Sequence, residues 1–422
     1  MINPKKHENH TLSTEEDIEI KKIIKKEIER QKSQIILIAS ENFTSREVIR
    51  TMGSVLTNKY AEGYPGLRYY AGCENVDEVE QLAIDRANQL FGSDYSNVQP
   101  HSGVSANLAV FLGTLNCGDR ILSMNLRDGG HLSHGHKQNL SGRYYEIHTY
   151  NVDPETEMLD YEKIKEIAGT VRPKLIIAGA SSYSRSIDFN KFREIADGAG
   201  AYLLADTAHI AGLMVSGYHP NSVGVADFTT ATTHKTLRGP RGGLIVADKK
   251  YADLIDRSVF PGVQGGPFMH IIAAKAVAFN EALKDSFKDY SRRIIENSKA
   301  LCGYMKNDGF RIVSDGTDNH LFLMDLTGKK ITGSEAVDLL NSLGIIVNKN
   351  VIPFDKLSPT IASGIRIGTP AVTTQGMGTE EMYKIGELIS SAIKNRNNGT
   401  KLKEIIKKVK SLAGDFPVYT KE

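Results

Sequence analysis

Between residues 95 and 247 the chain alternates short apolar runs with segments of helical periodicity. "KLIIAGA" is followed by "FNKFREIADGAG", then by "AYLLADTAH", "ADFTTATT" and "GGLIVAD". Runs this short and this apolar have the signature of buried strands, and the segments between them that of amphipathic helices. The alternation predicts an α/β layered domain built on a mainly parallel sheet. Upstream, "SNVQP" feeds the turn "HSG" and the helical "VSANLAVFLGTL", and "DRILSMNL" adds another strand. Polar residues collect at the strand ends, where open α/β sheets bind ligands.

The remainder supplies a second, smaller unit. From about residue 290 a long helix, "YSRRIIENSKALCGYMKNDG", leads into strand candidates "RIVS", "HLFLMDL", "IIVNKN" and "SGIRIGTP", with "GSEAVDLLNSLG" as a helix among them and a charged helical end. A chain of 422 residues exceeds the usual single core. The expected division is an N-terminal helical arm over 1–35, a large α/β domain over 36–290 and a small α+β domain over 291–422. Residues 11–33 read as one amphipathic helix, capped by the Ser/Thr of "LSTEED". "YAEGYPGLRYYAGC" reads as an ordered loop.

Composition excludes several classes. A net charge of +2 gives no case for nucleic acid or an anionic membrane, and the basic runs "IKKIIKKEIER" and "KLKEIIKKVK" read as solvated helix faces. Cys73, Cys117 and Cys302 are far apart and form no CxxC, so neither a disulfide framework nor a zinc knuckle is expected. The N-terminal residues lack an apolar core and no segment reaches membrane-span length, which fits a cytoplasmic protein.

Several residues stand where chemistry needs them. Lys235, in "TTHKTLRGPRGG", lies between two buried strands, where a lysine must be paired, deprotonated or used covalently. Ser102, Gly103 and Ser105 open a helix whose free N–H groups suit a phosphate. Asp206 ends a buried strand; it either holds a protonated ring nitrogen or serves as a helix cap or ion pair. His209 stands near the same strand end. His131, aimed by Gly129 and Gly130, suits stacking on a flat ring, although with His134 and His136 it also raises a metal site whose spacing fits poorly. Arg366 lies inside an apolar run and needs an anion such as a carboxylate. A ligand with a phosphate, an aromatic nitrogen, a flat face and a carbonyl satisfies the set, and pyridoxal phosphate has all four.

The blocks "LTNKYAEGYPGLRYYAGCENVDEVEQLAIDRA", "NVQPHSG", "GGHLSHG", "TTHKTLRGPRGG", "VFPGVQGGP", "GTDNHLFL" and "SGIRIGTP" closely resemble the serine hydroxymethyltransferase family of fold-type I (aspartate aminotransferase-like) pyridoxal-phosphate enzymes. The similarity runs from "LIASEN" to "FPVY". It implies that Lys235 is the Schiff-base lysine, that His131 stacks on the cofactor and that Asp206 pairs its ring nitrogen. Ser102, Gly103, Ser181, His209 and His234 match cofactor contacts, and Ser40, His209 and Arg366 match amino-acid contacts. Tyr60, Glu62 and Tyr70 match groups contributed across a homodimer interface, Glu62 handling a proton, and Gly265 and Gly266 match the neighbour's phosphate contact. Leu126, Gly130, Leu132, Asn350 and Tyr69 fall where the family binds folate. The implied reaction interconverts serine and glycine and passes the hydroxymethyl carbon to tetrahydrofolate, giving 5,10-methylenetetrahydrofolate; no metal is implied.

Some positions depart from the family pattern. Val104 replaces a common serine, and Ser105 is the candidate to compensate. Thr207, Val263, Gln375 and Arg127 are also unusual. They leave two alternatives: a folate-independent aldolase or transaldolase, and an enzyme preferring an α-methyl amino acid.

Overall fold

The computed structural model describes residues 16–419. The apolar runs form the expected strands β2 (Arg120–Met124), β4 (Leu175–Gly179), β5 (Tyr202–Asp206), β6 (Phe228–Thr232) and β7 (Gly243–Ala247), and two strands without an apolar run, β1 (Tyr95–Asn97) and β3 (Glu146–Tyr150), join them. They make a seven-stranded sheet in the order β1-β7-β6-β5-β4-β2-β3. Strands β6 to β3 run parallel, whereas β7 is antiparallel to both β6 and β1. The fold is therefore α/β with a mainly parallel, mixed sheet, as the alternation predicts.

Every residue of β4, β6 and β7 is buried, which explains the near-continuous apolar character of β4 and β7; in β6 the buried hydroxyls of Thr229 and Thr230 are hydrogen-bonded to Ser222 and Asn107. Side chains alternate between faces. Leu175, Ile177, Leu204 and Phe228 pack on the helix Gly103–Thr114, while Ile176, Ala178, Leu203 and Ala205 pack on the helices Tyr161–Val171 and Phe189–Ala199. Asp188 caps the last of these helices, and Gly200, in the left-handed region, closes it.

The second sheet contains β8 (Arg311–Ile312), β9 (Leu321–Asp325), β10 (Asn348–Asn350) and β11 (Gly364–Gly368), antiparallel throughout in the order β8-β9-β11-β10. Its core also takes Ile35 and Leu37, because Ile35–Ile36 pairs in parallel with Ile345–Ile346. The stretch "IIVNKN" thus divides between two sheets and is not one strand.

Two local expectations change. The first helix spans Ile18–Ser33 and is capped by Asp17, whose carboxylate accepts from the N–H of Glu19 and Ile20; the serine and threonine named as caps lie outside the described residues. The expected loop "YAEGYPGLRYYAGC" contains a hairpin in which Gly63–Tyr64 pairs with Leu67–Arg68. Two-residue strands are too short to show a period. Tertiary contacts fix them instead: the buried Arg68 guanidinium bonds Asp77 at 2.8 Å and Glu80 at 2.6 Å. No helix among the described residues is long and apolar enough to cross a membrane.

One buried lysine joins the loops that lead to and from the sheet end. Lys275, in the helix Met269–Ala282, is 1% exposed and donates to the carbonyls of Val98, Pro100 and Gly243 at 2.6, 3.0 and 2.8 Å. Burial pulls its pKa down to about 7, yet three carbonyls match the three N–H donors of the ammonium. Lys275→Met leaves those carbonyls unpaired, and a destabilisation of roughly 3 kcal/mol is expected, measured by urea unfolding.

Candidate functional site

A cavity of about 470 Å³ opens at the C-terminal ends of the parallel strands. Three sequence segments meet there because three strands end there. Asp206 terminates β5, Ser181 follows β4, and Lys235 lies in the loop leaving β6. The opposite wall carries Arg366, from β11 of the second sheet.

The Lys235 loop is tightly held. Thr233 exchanges backbone bonds with Gly242 and Gly239 and donates its hydroxyl to Pro240 O, while Thr236 donates to His209 O. These threonine hydroxyls fix the loop's backbone. Asn42 donates to Lys235 O at 2.8 Å. Burial lowers the Lys235 pKa to about 8, against the pull of Asp206, and the cations Arg366 and Arg241 add to the lowering. A larger fraction of neutral, nucleophilic amine is therefore available than on a surface lysine.

Asp206 is neither a helix cap nor paired with an arginine. Its Oδ2 accepts from Asn107 Nδ2 at 2.8 Å and lies 2.8 Å from His134 Nε2. His134 Nδ1 accepts from the His131 N–H, so its ring proton belongs on Nε2, facing Asp206. Burial pushes the carboxyl pKa up, but the contacts with His134, His131 and Asn107 outweigh it and hold the group well below the usual carboxylate range. Asp206 is thus an ionised acceptor at the cavity wall.

The other predicted residues of this group arrive together. His131, His209 and His234 line the cavity, as do Ser40, Ser102 and Gly103. Burial lowers the pKa of His131 to about 4 and that of His234 to about 3, and drives that of His209 well down, so the rings are neutral. His131 Nδ1 accepts from Ser133 N. Donor atoms of His131, His134 and Asp206 lie within 4.8 Å of one another, but both His134 nitrogens are already engaged.

The helix starting at Gly103 points its N-terminus at the cavity. Ser102 Oγ caps Ser105 N, and Gly103 and Val104 line the wall beside it. Close approach is obligatory here: a Cβ on Gly243 would lie 2.2 Å from Ser102 O. Ser105 does not replace the hydroxyl lost at Val104. Its Oγ accepts from Ser102 N and donates to Ser102 O, closing the cap instead.

Arg366 donates from Nη1 to Ser181 O at 2.7 Å and from Nε to Asn348 Oδ1 at 3.1 Å. Burial lowers its pKa to about 10, so the guanidinium stays charged at neutral pH. Its bonds fix the plane of the fork.

Tyr60, Glu62 and Tyr70 do not line the cavity of their own chain. They form a surface cluster, Tyr60 and Tyr70 exposed and Glu62 half-buried, in which Tyr60 Oη donates to Glu62 Oε1 at 3.4 Å and the Tyr60 and Tyr70 rings meet edge to face at 5.2 Å. Gly265 and Gly266 adjoin it: a Cβ there would contact Glu62 and the Tyr60 ring. Tyr69 is exposed and meets Phe260 at 5.6 Å.

Leu126 lines a second cavity, of about 290 Å³, whose wall includes His131 and His134. Leu132 is exposed nearby, Gly130 N donates to Asn125 O, and Asn350 donates to Val351 O. Arg127 turns away to donate to the carbonyls of Asp355 and Leu357, tying this turn to the loop after β10. Thr207 is buried and donates to Thr230 O. Gln375 donates to Phe416 O, and Val263 packs against the core beside Phe111.

Asn107, Glu41 and Arg241 belong to the cavity although sequence reasoning did not select them, and His134, weighed there only as a metal ligand, belongs to it too. Asn107 carried a signal, being the lone amide in the apolar helix "GVSANLAVFLGT".

A neutral-prone lysine amine, an ionised carboxylate, a helix N-terminus and a fixed guanidinium face one space. His234 Nδ1, buried there without a partner among the described residues, is a further polar group awaiting a ligand. This donor set fits an aldehyde-bearing phosphate with a ring nitrogen. Comparison with known proteins agrees: residues 13–389 match the family described as serine hydroxymethyltransferase. A curated relative, serine hydroxymethyltransferase of Leptospira biflexa serovar Patoc, is 53% identical over 403 residues, covering 96% of this chain and 97% of the relative. The chain belongs to the serine hydroxymethyltransferase family.

Proposed function

We propose that the chain catalyses the reversible conversion of serine and tetrahydrofolate to glycine and 5,10-methylenetetrahydrofolate, as a pyridoxal-phosphate-dependent transferase. The observation that carries this reading is the Lys235 amine, with its lowered pKa, facing the same cavity as ionised Asp206 and the Arg366 fork. When bound, pyridoxal phosphate supplies an electron-withdrawing ring that stabilises negative charge at the amino-acid α-carbon.

The chain's own residues do the rest. Lys235 would bond the cofactor's aldehyde carbon, and the Gly103 N–H at the helix start, beside Ser102, would hold its phosphate. Asp206, kept ionised by Asn107 and His134, would keep a proton on the ring nitrogen. His131, neutral and oriented by Ser133, would cover the ring. Arg366 would take the amino-acid carboxylate and Ser40 would assist it.

The surface cluster of Tyr60, Glu62, Tyr70, Gly265 and Gly266, with both tyrosine rings exposed, supports a site completed by a second copy, with Glu62 moving a proton in the neighbour's cavity. Tetrahydrofolate would lie along Leu126, Gly130, Leu132, Asn350 and Tyr69, beside His131. The reading includes an obligate homodimer, a cytoplasmic location, a helical arm over 1–35, a large cofactor-binding domain over 36–290 and a small domain over 291–422; residues 1–15 and 420–422 of these divisions lie outside the described residues.

Serine cleavage by the holoenzyme is expected to accelerate strongly on adding tetrahydrofolate; an unchanged rate overturns the reading in favour of a folate-independent aldolase. Reaction of the cofactor-free protein with an aldehyde probe should speed up as pH rises through about 8, because only the deprotonated Lys235 amine attacks. A midpoint near that of a free lysine counts against the lowered pKa. Lys235→Ala should lose steady-state turnover by at least about 100-fold while remaining folded, checked by initial rates alongside circular dichroism.

A further inference from the structure

His209 does not act alone. Its Nδ1 lies 3.2 Å from Nε2 of His320, and the rings lie at 26° with centroids 5.4 Å apart. His320 precedes β9, 111 residues away along the chain. Both backbones are anchored: Thr236 Oγ1 donates to His209 O, and Thr369 N donates to His320 O. His209 lines the cavity and His320 does not. With Nδ1 turned to His320, the His209 ring presents its Nε2 side to the cavity.

Burial, reinforced by Lys235 and Arg366, keeps both rings neutral. Each ring therefore has one proton, and one of the two occupies the contact between them. Two arrangements exist. If His209 Nδ1 donates, the proton of His320 must lie on Nδ1, which is buried and has no partner among the described residues. If His320 Nε2 donates, that Nδ1 carries only a lone pair, and the proton of His209 lies on Nε2. A buried, orphaned N–H is rarer than an under-satisfied acceptor.

The cavity favours the same arrangement independently. Lys235, Arg241 and Arg366 line it and draw in anionic ligand atoms, which only accept hydrogen bonds. A lone pair on His209 Nε2 would repel such an atom, whereas an N–H would bind it.

We propose that His320 is a positioning residue that holds His209 as an Nε2–H donor to an anionic ligand atom in the cavity, a carboxylate or phenolate oxygen. This rests on the cavity being the cofactor and amino-acid site.

Neutron diffraction from deuterium-exchanged holoenzyme crystals tests it directly. Deuterons on His209 Nε2 and His320 Nε2 are expected; a deuteron on His209 Nδ1 overturns the proposal. Two variants test the consequence. His320→Leu, which keeps bulk without a donor, should raise the KM for serine about tenfold with a smaller change in kcat. His320→Gln, whose amide can donate to His209 Nδ1, should recover most of that loss. Equal impairment of both variants, or a wild-type KM in His320→Leu, overturns the proposal. If His320→Leu fails to fold, the neutron result decides. A misplaced deuteron in an enzyme that cleaves serine counts against the tautomer alone, whereas a wild-type holoenzyme unable to cleave serine counts against the proposed function.

Discussion

The site depends on keeping one carboxylate charged where water is largely excluded. Asp206 ends a buried strand, and its charge survives only because donors surround it. Asn107 reaches it from the helix Gly103–Thr114, and His134 from the turn after Gly130. Asn107 is itself held by Thr230 on β6, which donates to its Oδ1 at 2.7 Å. One charge thus ties together two strands, a helix N-terminus and the turn that aims His131. Shifting any of these would leave polar groups unpaired in a low-dielectric interior, so the network fixes the cavity as a unit.

Two buried lysines show how environment separates structure from chemistry. Lys275 spends all three donors on carbonyls of the segments leading to Ser102 and out of the Lys235 loop. It acts as an internal hydrogen-bond donor that joins those segments. Lys235 faces the cavity with Arg241 and Arg366 as neighbours, and its charge is disfavoured by burial and by like charges together. The loop around it is rigid because threonine hydroxyls and Asn42 hold its backbone, leaving the side chain free for ligand.

Much of the fold was legible because long apolar runs and glycine-closed helices are local signals. Five of the seven strands of the main sheet follow them; Tyr95–Asn97 and Glu146–Tyr150, short or only partly buried, carry no such run. The short elements were not legible. The Gly63–Arg68 hairpin exists because Arg68 is anchored by Asp77 and Glu80, and "IIVNKN" splits because Ile345–Ile346 finds Ile35–Ile36 across the sequence. The same limit applied in the site. Lys235, Asp206, His131 and Arg366 stood out as polar residues in apolar or glycine-rich surroundings. His134 looked like one histidine among three, and His320 like an ordinary residue before a strand, since nothing local marks a contact made across 72 or 111 positions.

The sequence by itself determined the α/β layering, the family and the identity of the groups that could serve one phosphate-bearing aldehyde cofactor, because strand burial and residue chemistry are properties of short segments. Only the tertiary structure decided how those groups are tuned. It assigned Asp206 its donors, closed Ser105 into a cap, turned Arg127 onto the backbone of a neighbouring loop and set Tyr60, Glu62 and Tyr70 outside their own chain's cavity. Charge state and orientation depend on desolvation and on distant partners, and those exist only once the chain is folded.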